Sequence, residues 1–84
     1  MHNQSQEPQF ISLAESKRNA VFTICKFDGG PHFAKKLESI GIREGDTIVV
    51  MNKHVLKGPI VVKVKNAQIA LGYMMAKKIW GTVK

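Results

Sequence analysis

Cysteine is nearly missing from this sequence: Cys25 is the only one, so no internal disulfide can form and a reducing compartment is the natural setting. No apolar run approaches the ~20 residues that a membrane-spanning helix needs. The opening residues MHNQSQEPQF lack the basic and apolar regions of a secretory signal. Motifs of chemistry are missing as well. There is no GxxxxGK[ST] or GxGxxG to hold phosphate, and no CxxC, HxxxH or HExxH to preset a metal. Catalysis needs a nucleophile, a base and an acid that converge. The three histidines and six acids show no such spacing, and an enzyme is not expected.

What the chain does have is positive charge. Thirteen Lys and Arg against six Asp and Glu give a net +7 in 84 residues. Such a balance points to nucleic acid or to the negative face of a membrane. Eleven of the thirteen cations are lysines, scattered from Lys17 to Lys84, which argues for a solvated surface instead. Only Arg18 and Arg43 offer the planar fork suited to bidentate base or phosphate contacts. Nucleic-acid binding is therefore not expected. Eighty-four residues make one domain, and one this small buries only roughly 60–65% of its unfolded surface.

Residues 1–11 read as a flexible leader whose Phe10 and Ile11 tuck onto the core. Ser12 and Glu15 have the spacing of a capping box around one helical turn. The run AVFTICKF then alternates, setting Val21, Thr23 and Cys25 on one face against Phe22, Ile24 and Lys26 on the other. A helix follows, with Phe33, Leu37 and Ile40 at i, i+4 and i+7. Pro31 suits its first turn, and Gly41 suits a left-handed position after its end, with Ile42 folding back on Leu37. DTIVVMNK, IVVKVK, QIAL and IWGTV read as further short strands, and Gly72 to Lys78 as a helical turn. The expected fold is mainly β: a partly closed, SH3-like barrel of about five strands, with one helix after the first strand and a helical turn before the last. Residues 12–84 form that single domain.

Three features invite a functional reading. Cys25, His32 and His54, with Asp28 nearby in sequence, are ligand types for a transition metal. Without ligand spacing they make at most a weak metal site, and a buried, inert thiol is the default for a strand cysteine. No cofactor is expected. The pair Gly29-Gly30 precedes the helix and resembles an anion cradle, although a turn is the simpler reading. Tyr73, Met74 and Met75 stand in a row near Trp80, and one short turn cannot bury all of them on one side. Exposed methionines suit adaptable protein contacts. The plainer alternative packs Met75 and Ala76 inside and lays Tyr73 over an edge.

The order of these signals resembles a known family. KKLESIGIREGDTIVV is similar to the R-L-x-x-L-G-[hydrophobic]-x-P-G core of the ferrous iron transport protein A (FeoA-type) domains. Lys36-Leu37, Ile40-Gly41-Ile42 and Gly45 take the matching positions. Downstream, Ile69-Ala70-Leu71, Ala76, Ile79 and Val83 resemble the family's I-A-L-[Arg]-x-x-x-A-x-x-I-x-V ending. Glu44 stands where the family commonly has proline, Lys36 where it has arginine, and Gly72 where an arginine often follows I-A-L.

The resemblance implies an SH3-like cytoplasmic module without catalytic activity, and the +7 charge would help such a domain dwell at the anionic inner face of the membrane. It implies a role in bacterial ferrous iron uptake, with a membrane transporter carrying a G-protein domain as partner. Tyr73, Met74, Met75 and Trp80 are then the expected contact residues. Self-association through a barrel edge is a further expectation, and membrane insertion is not. The alternative class is a transition-metal-binding or protein-contact module of the iron-dependent repressor type.

Overall fold

Alternating apolar residues build one sheet, and their inward set makes the core. The computed structural model describes residues 9–53 and 57–83. Six strands run in chain order as β1 (Gln9–Ser12), β2 (Val21–Phe27), β3 (Thr47–Lys53), β4 (Ile60–Val64), β5 (Ala67–Leu71) and β6 (Ile79–Val83). A 3₁₀ turn at Leu13–Glu15 follows β1, helix α1 (Gly30–Ser39) follows β2, and helix α2 (Tyr73–Lys77) joins β5 to β6. Every pairing is antiparallel, and the spatial order is β1-β6-β2-β3-β4-β5. Among the described residues no pairing joins β1 to β5, so the sheet stays open. It nevertheless encloses one core of Phe22, Ile24, Ile48, Val50, Ile60, Val62, Leu71 and Ile79, all fully buried. Removing each such side chain from water contributes about 1.5–3 kcal/mol.

Two expectations change here. The sheet has six strands because Gln9, Phe10 and Ile11, read as the end of a leader, pair along β6 as β1. Helix α1 accordingly follows the second strand. The alternation of β2 also breaks. Ile24 faces Gly81 and Lys26 faces Trp80, so Cys25 is an extra residue in a bulge. The bulge turns Lys26 outward and lets Phe27 pack inward. Cys25 lies on the face opposite Phe22 and Ile24 and is exposed, not the buried thiol expected of a strand cysteine.

Helix α1 ends as its sequence requires. Gly41, at φ 98°, takes the left-handed position that a side chain resists. Its N–H bonds the Glu38 carbonyl at 3.0 Å, and the Ile42 N–H bonds the Leu37 carbonyl at 2.9 Å. This is the Schellman closure, and Ile42 and Leu37 are both fully buried beside it. The start of α1 resolves as a turn, with Gly30 at φ 78°. Phe33 meets Phe27 edge to face, with ring centroids 6.0 Å apart, and this seats the helix on β2.

Candidate functional site

A helix of five residues has no stability of its own and must be held by its surroundings. Buried Ser12 supplies the hold. Its hydroxyl lies 3.2 Å from the Ala76 carbonyl oxygen and 3.1 Å from that of Lys77, while it accepts the Ala14 N–H at 3.1 Å. Ala76 fits against the 3₁₀ turn and is fully buried. Tyr73 and Met75 pack partly on the core. Met74 turns away and is 63% exposed, more than any other large apolar residue among the described ones. Inward Ala76 and Met75, with Tyr73 at the margin, match the plainer alternative, and Met74 alone is left over. The Lys57 ammonium lies 5.9 Å from the centroid of the Tyr73 ring, within cation–π range.

Trp80 belongs to a different patch. On β6 it faces Ser12 of β1 and Lys26 of β2. Its ring stacks on Phe10, with centroids 5.5 Å apart and planes 20° from parallel. Phe10 is itself 52% exposed, so the stack presents an aromatic surface to solvent. Residues opposite one another in a sheet share a face, so Phe10, Thr82, Thr23 and Thr47 form one row across β1, β6, β2 and β3. Thr23 and Thr47 join by their hydroxyls at 3.2 Å. The four expected contact residues thus divide: Tyr73, Met74 and Met75 on α2, Trp80 with Phe10 on the β1–β6 ribbon. Phe10 stacks on Trp80 although it was not among the residues grouped in sequence. Its signal was the outward position of Phe10 and the inward position of Ile11 in a short alternating run.

Among the described residues the metal candidates gather no third ligand. Cys25 sits in the β2 bulge and His32 is exposed in the first turn of α1. His54 lies outside the described residues. Among the described residues no three His, Cys, Asp or Glu side chains come together. A shallow cleft of about 300 Å³ opens between α1 and the turn after it, lined by Phe27, Ala34, Ile42, Lys35 and Glu44 and crossed by the exposed Glu38–Arg43 pair at 3.5 Å. None of its side chains forms a nucleophile–base pair.

The model of the FeoA domain matches residues 11–83, from β1 to the end of β6. The chain belongs to the FeoA domain family. No curated protein matches it in sequence. Among solved structures, this FeoA domain is similar to an iron uptake regulatory protein (FeoA), with 25% identity and a TM-score of 0.81 over 90% of this chain and 99% of that one. A FeoA-like protein from Clostridium acetobutylicum shares its fold at a TM-score of 0.77 and 21% identity, over 89% and 87% of the two chains. A manganese-dependent transcriptional repressor shares it at 0.80 and 24% identity, over 96% of this chain but only 45% of the repressor. The last two likenesses are of fold. The FeoA domain's family glycine, Gly41, is the one that closes α1, and Ala76 and Ile79 of the matching ending are core residues. The positions that depart from the family pattern, Lys36, Glu44 and Gly72, are all exposed. No helix among the described residues is long and apolar enough to cross a membrane.

Proposed function

We propose that this FeoA domain is a non-catalytic accessory protein of bacterial ferrous iron uptake. It binds the cytoplasmic, G-protein-containing part of a membrane ferrous iron transporter and regulates it. Family membership supports the iron-uptake setting. The observation that carries the binding role is the Phe10–Trp80 stack, an aromatic pair left half open on a small domain. Large, rigid aromatic side chains dominate binding energy where proteins meet. The threonine row beside the stack adds hydroxyls that pair with a partner's polar groups at little entropic cost. Working from the cytoplasm, the domain needs neither a bound metal nor a reaction of its own to act.

Titration of the transporter's cytoplasmic domain with the parent chain and with a Phe10→Asp variant tests the reading. The expected result is saturable binding that the variant weakens about 30-fold, the scale of an interface hot spot. Binding that Phe10→Asp leaves unchanged removes the stack from the account. No binding by the parent chain removes the partner.

A further inference from the structure

Charge is divided unevenly along this chain. Residues 1–46 hold six Lys or Arg and six Asp or Glu, whereas residues 47–84 hold seven lysines and no acid, so the whole net charge comes from the second part. That part supplies β3, β4, β5, α2 and β6. The charge and the exposed apolar surface meet at α2. Lys77 follows Met74 by three residues and shares its side of the helix. Lys78 comes next, its ammonium 5.5 Å from the Phe33 ring centroid, and Lys57 stands over Tyr73. All three lysines are exposed. The acids on adjoining segments are Glu15, on the 3₁₀ turn packed against α2, and Asp28, whose N–H bonds the Lys78 carbonyl. Among the described residues neither forms an ion pair, Glu38–Arg43 being the one pair present.

We propose that the α2 end of the molecule docks on an anionic phospholipid bilayer. Met74 presses between headgroups, and Lys57, Lys77 and Lys78 lie over the phosphates. A flat anionic surface fits better here than an acidic peptide for three reasons. The cations are all lysines, compact charges that need no directional partner, whereas peptide carboxylates are read by the arginine fork. Met74 protrudes, 63% exposed, and so offers a tip to insert. A single exposed apolar tip with three exposed lysines on and beside its helix matches the demands of an interfacial anchor. The inference stands apart from the transporter reading, since it needs only this chain and lipid.

Co-sedimentation of the full chain with vesicles tests it, using phosphatidylcholine alone and phosphatidylcholine mixed with phosphatidylglycerol. Binding is expected on the anionic vesicles only. It should disappear as salt rises from about 0.1 M to about 1 M, where the screening length falls from about 10 Å to about 3 Å. Each lysine near an anionic leaflet strengthens binding roughly fivefold, so Lys57→Gln with Lys77→Gln should weaken it about 30-fold. Lys63→Gln with Lys65→Gln removes the same charge at the far end of the β4–β5 hairpin and should cost under about fivefold. Met74→Ser should weaken binding severalfold at unchanged melting temperature. Equal losses from the two lysine pairs would overturn the proposal, since they mean diffuse charge without a docking face. Failure to bind anionic vesicles overturns it too, as does capture of polyglutamate or DNA by a chain that ignores vesicles.

Discussion

The Ser12 hydroxyl lies 3.1 Å from the carbonyl oxygen of Lys77, across 65 residues of sequence, and through it the strand that opens the described chain holds the helix that precedes its last strand. The same oxygen accepts the Ala14 N–H, so one buried atom caps the 3₁₀ turn and ties down the end of α2. The expected capping box is only partly formed: Ser12 caps the turn, but through the Ala14 N–H, not that of Glu15. Ser12→Ala strips partners from the Ala14 N–H and two carbonyls in a buried setting. A loss of about 1–3 kcal/mol is expected by urea titration. Amide exchange should accelerate most in residues 73–78, and a stability unchanged within experimental error would show that α2 is held by packing alone.

Gly81 permits the closest approach in the sheet. A Cβ there would collide with the Thr23 carbonyl oxygen and come within 2.6 Å of the Phe22 ring. Backbone atoms of a paired strand and a fully buried ring cannot yield cheaply. Gly81→Ala is expected to destabilise by about 3 kcal/mol or more, at the upper end of overpacking costs. Denaturation near that of the parent chain would mean that β2 and β6 lie further apart than described.

Closure of α1 makes a milder prediction. Gly41→Ala keeps the two Schellman bonds only by forcing a side chain into the left-handed region, at about 1–2 kcal/mol. Open space around that position leaves strain as the sole cost, the nearest atom being the tip of Ile69 at 3.9 Å. Gly41→Asn should therefore recover part of the loss, because asparagine tolerates this conformation better. Equal losses for alanine and asparagine would point to crowding.

Exposure of Cys25 is checked by thiol labelling of the native chain. The thiol lies on the outer face of β2, with its sulfur 3.8 Å from the Thr23 carbonyl oxygen. Labelling should proceed to completion without denaturant and at a rate near that of the unfolded chain. Cys25→Ser should change stability by less than about 0.5 kcal/mol, as for surface substitutions. Protection from the reagent would restore the buried thiol that is the default for a strand cysteine.

Those particulars show which parts of the molecule were legible in sequence. Local rules that act within a few residues read well. Pro31, Gly41 and Ile42 marked both ends of α1, and Ile60, Val62 and Val64 declared the buried face of β4. Long-range facts were harder to read. The bulge at Cys25 arises from how β2 must meet β6, where Ile24 pairs with Gly81 and Lys26 with Trp80, and nothing in VFTICKF announces it. Strand β1 was hidden because four residues without a turn signal look like a leader until β6 supplies their partners. The grouping of surface residues was also a long-range matter. Trp80 was legible as an aromatic close in sequence to Tyr73–Met75, but its companion Phe10 is brought to it only by strand pairing. Tyr73, Met74 and Met75 were grouped by adjacency, whereas the helix separates them by face.

Trp80 is the only tryptophan, so a fluorinated indole placed there by biosynthetic labelling reports on the proposed docking surface alone. Its ¹⁹F resonance, followed while the unlabelled cytoplasmic domain of the ferrous iron transporter is added, tests the central claim most directly. The account predicts a shift or broadening that saturates at a defined stoichiometry and is lost in the Phe10→Asp chain. A resonance that stays unmoved through the titration, in a chain shown to be folded, would contradict it.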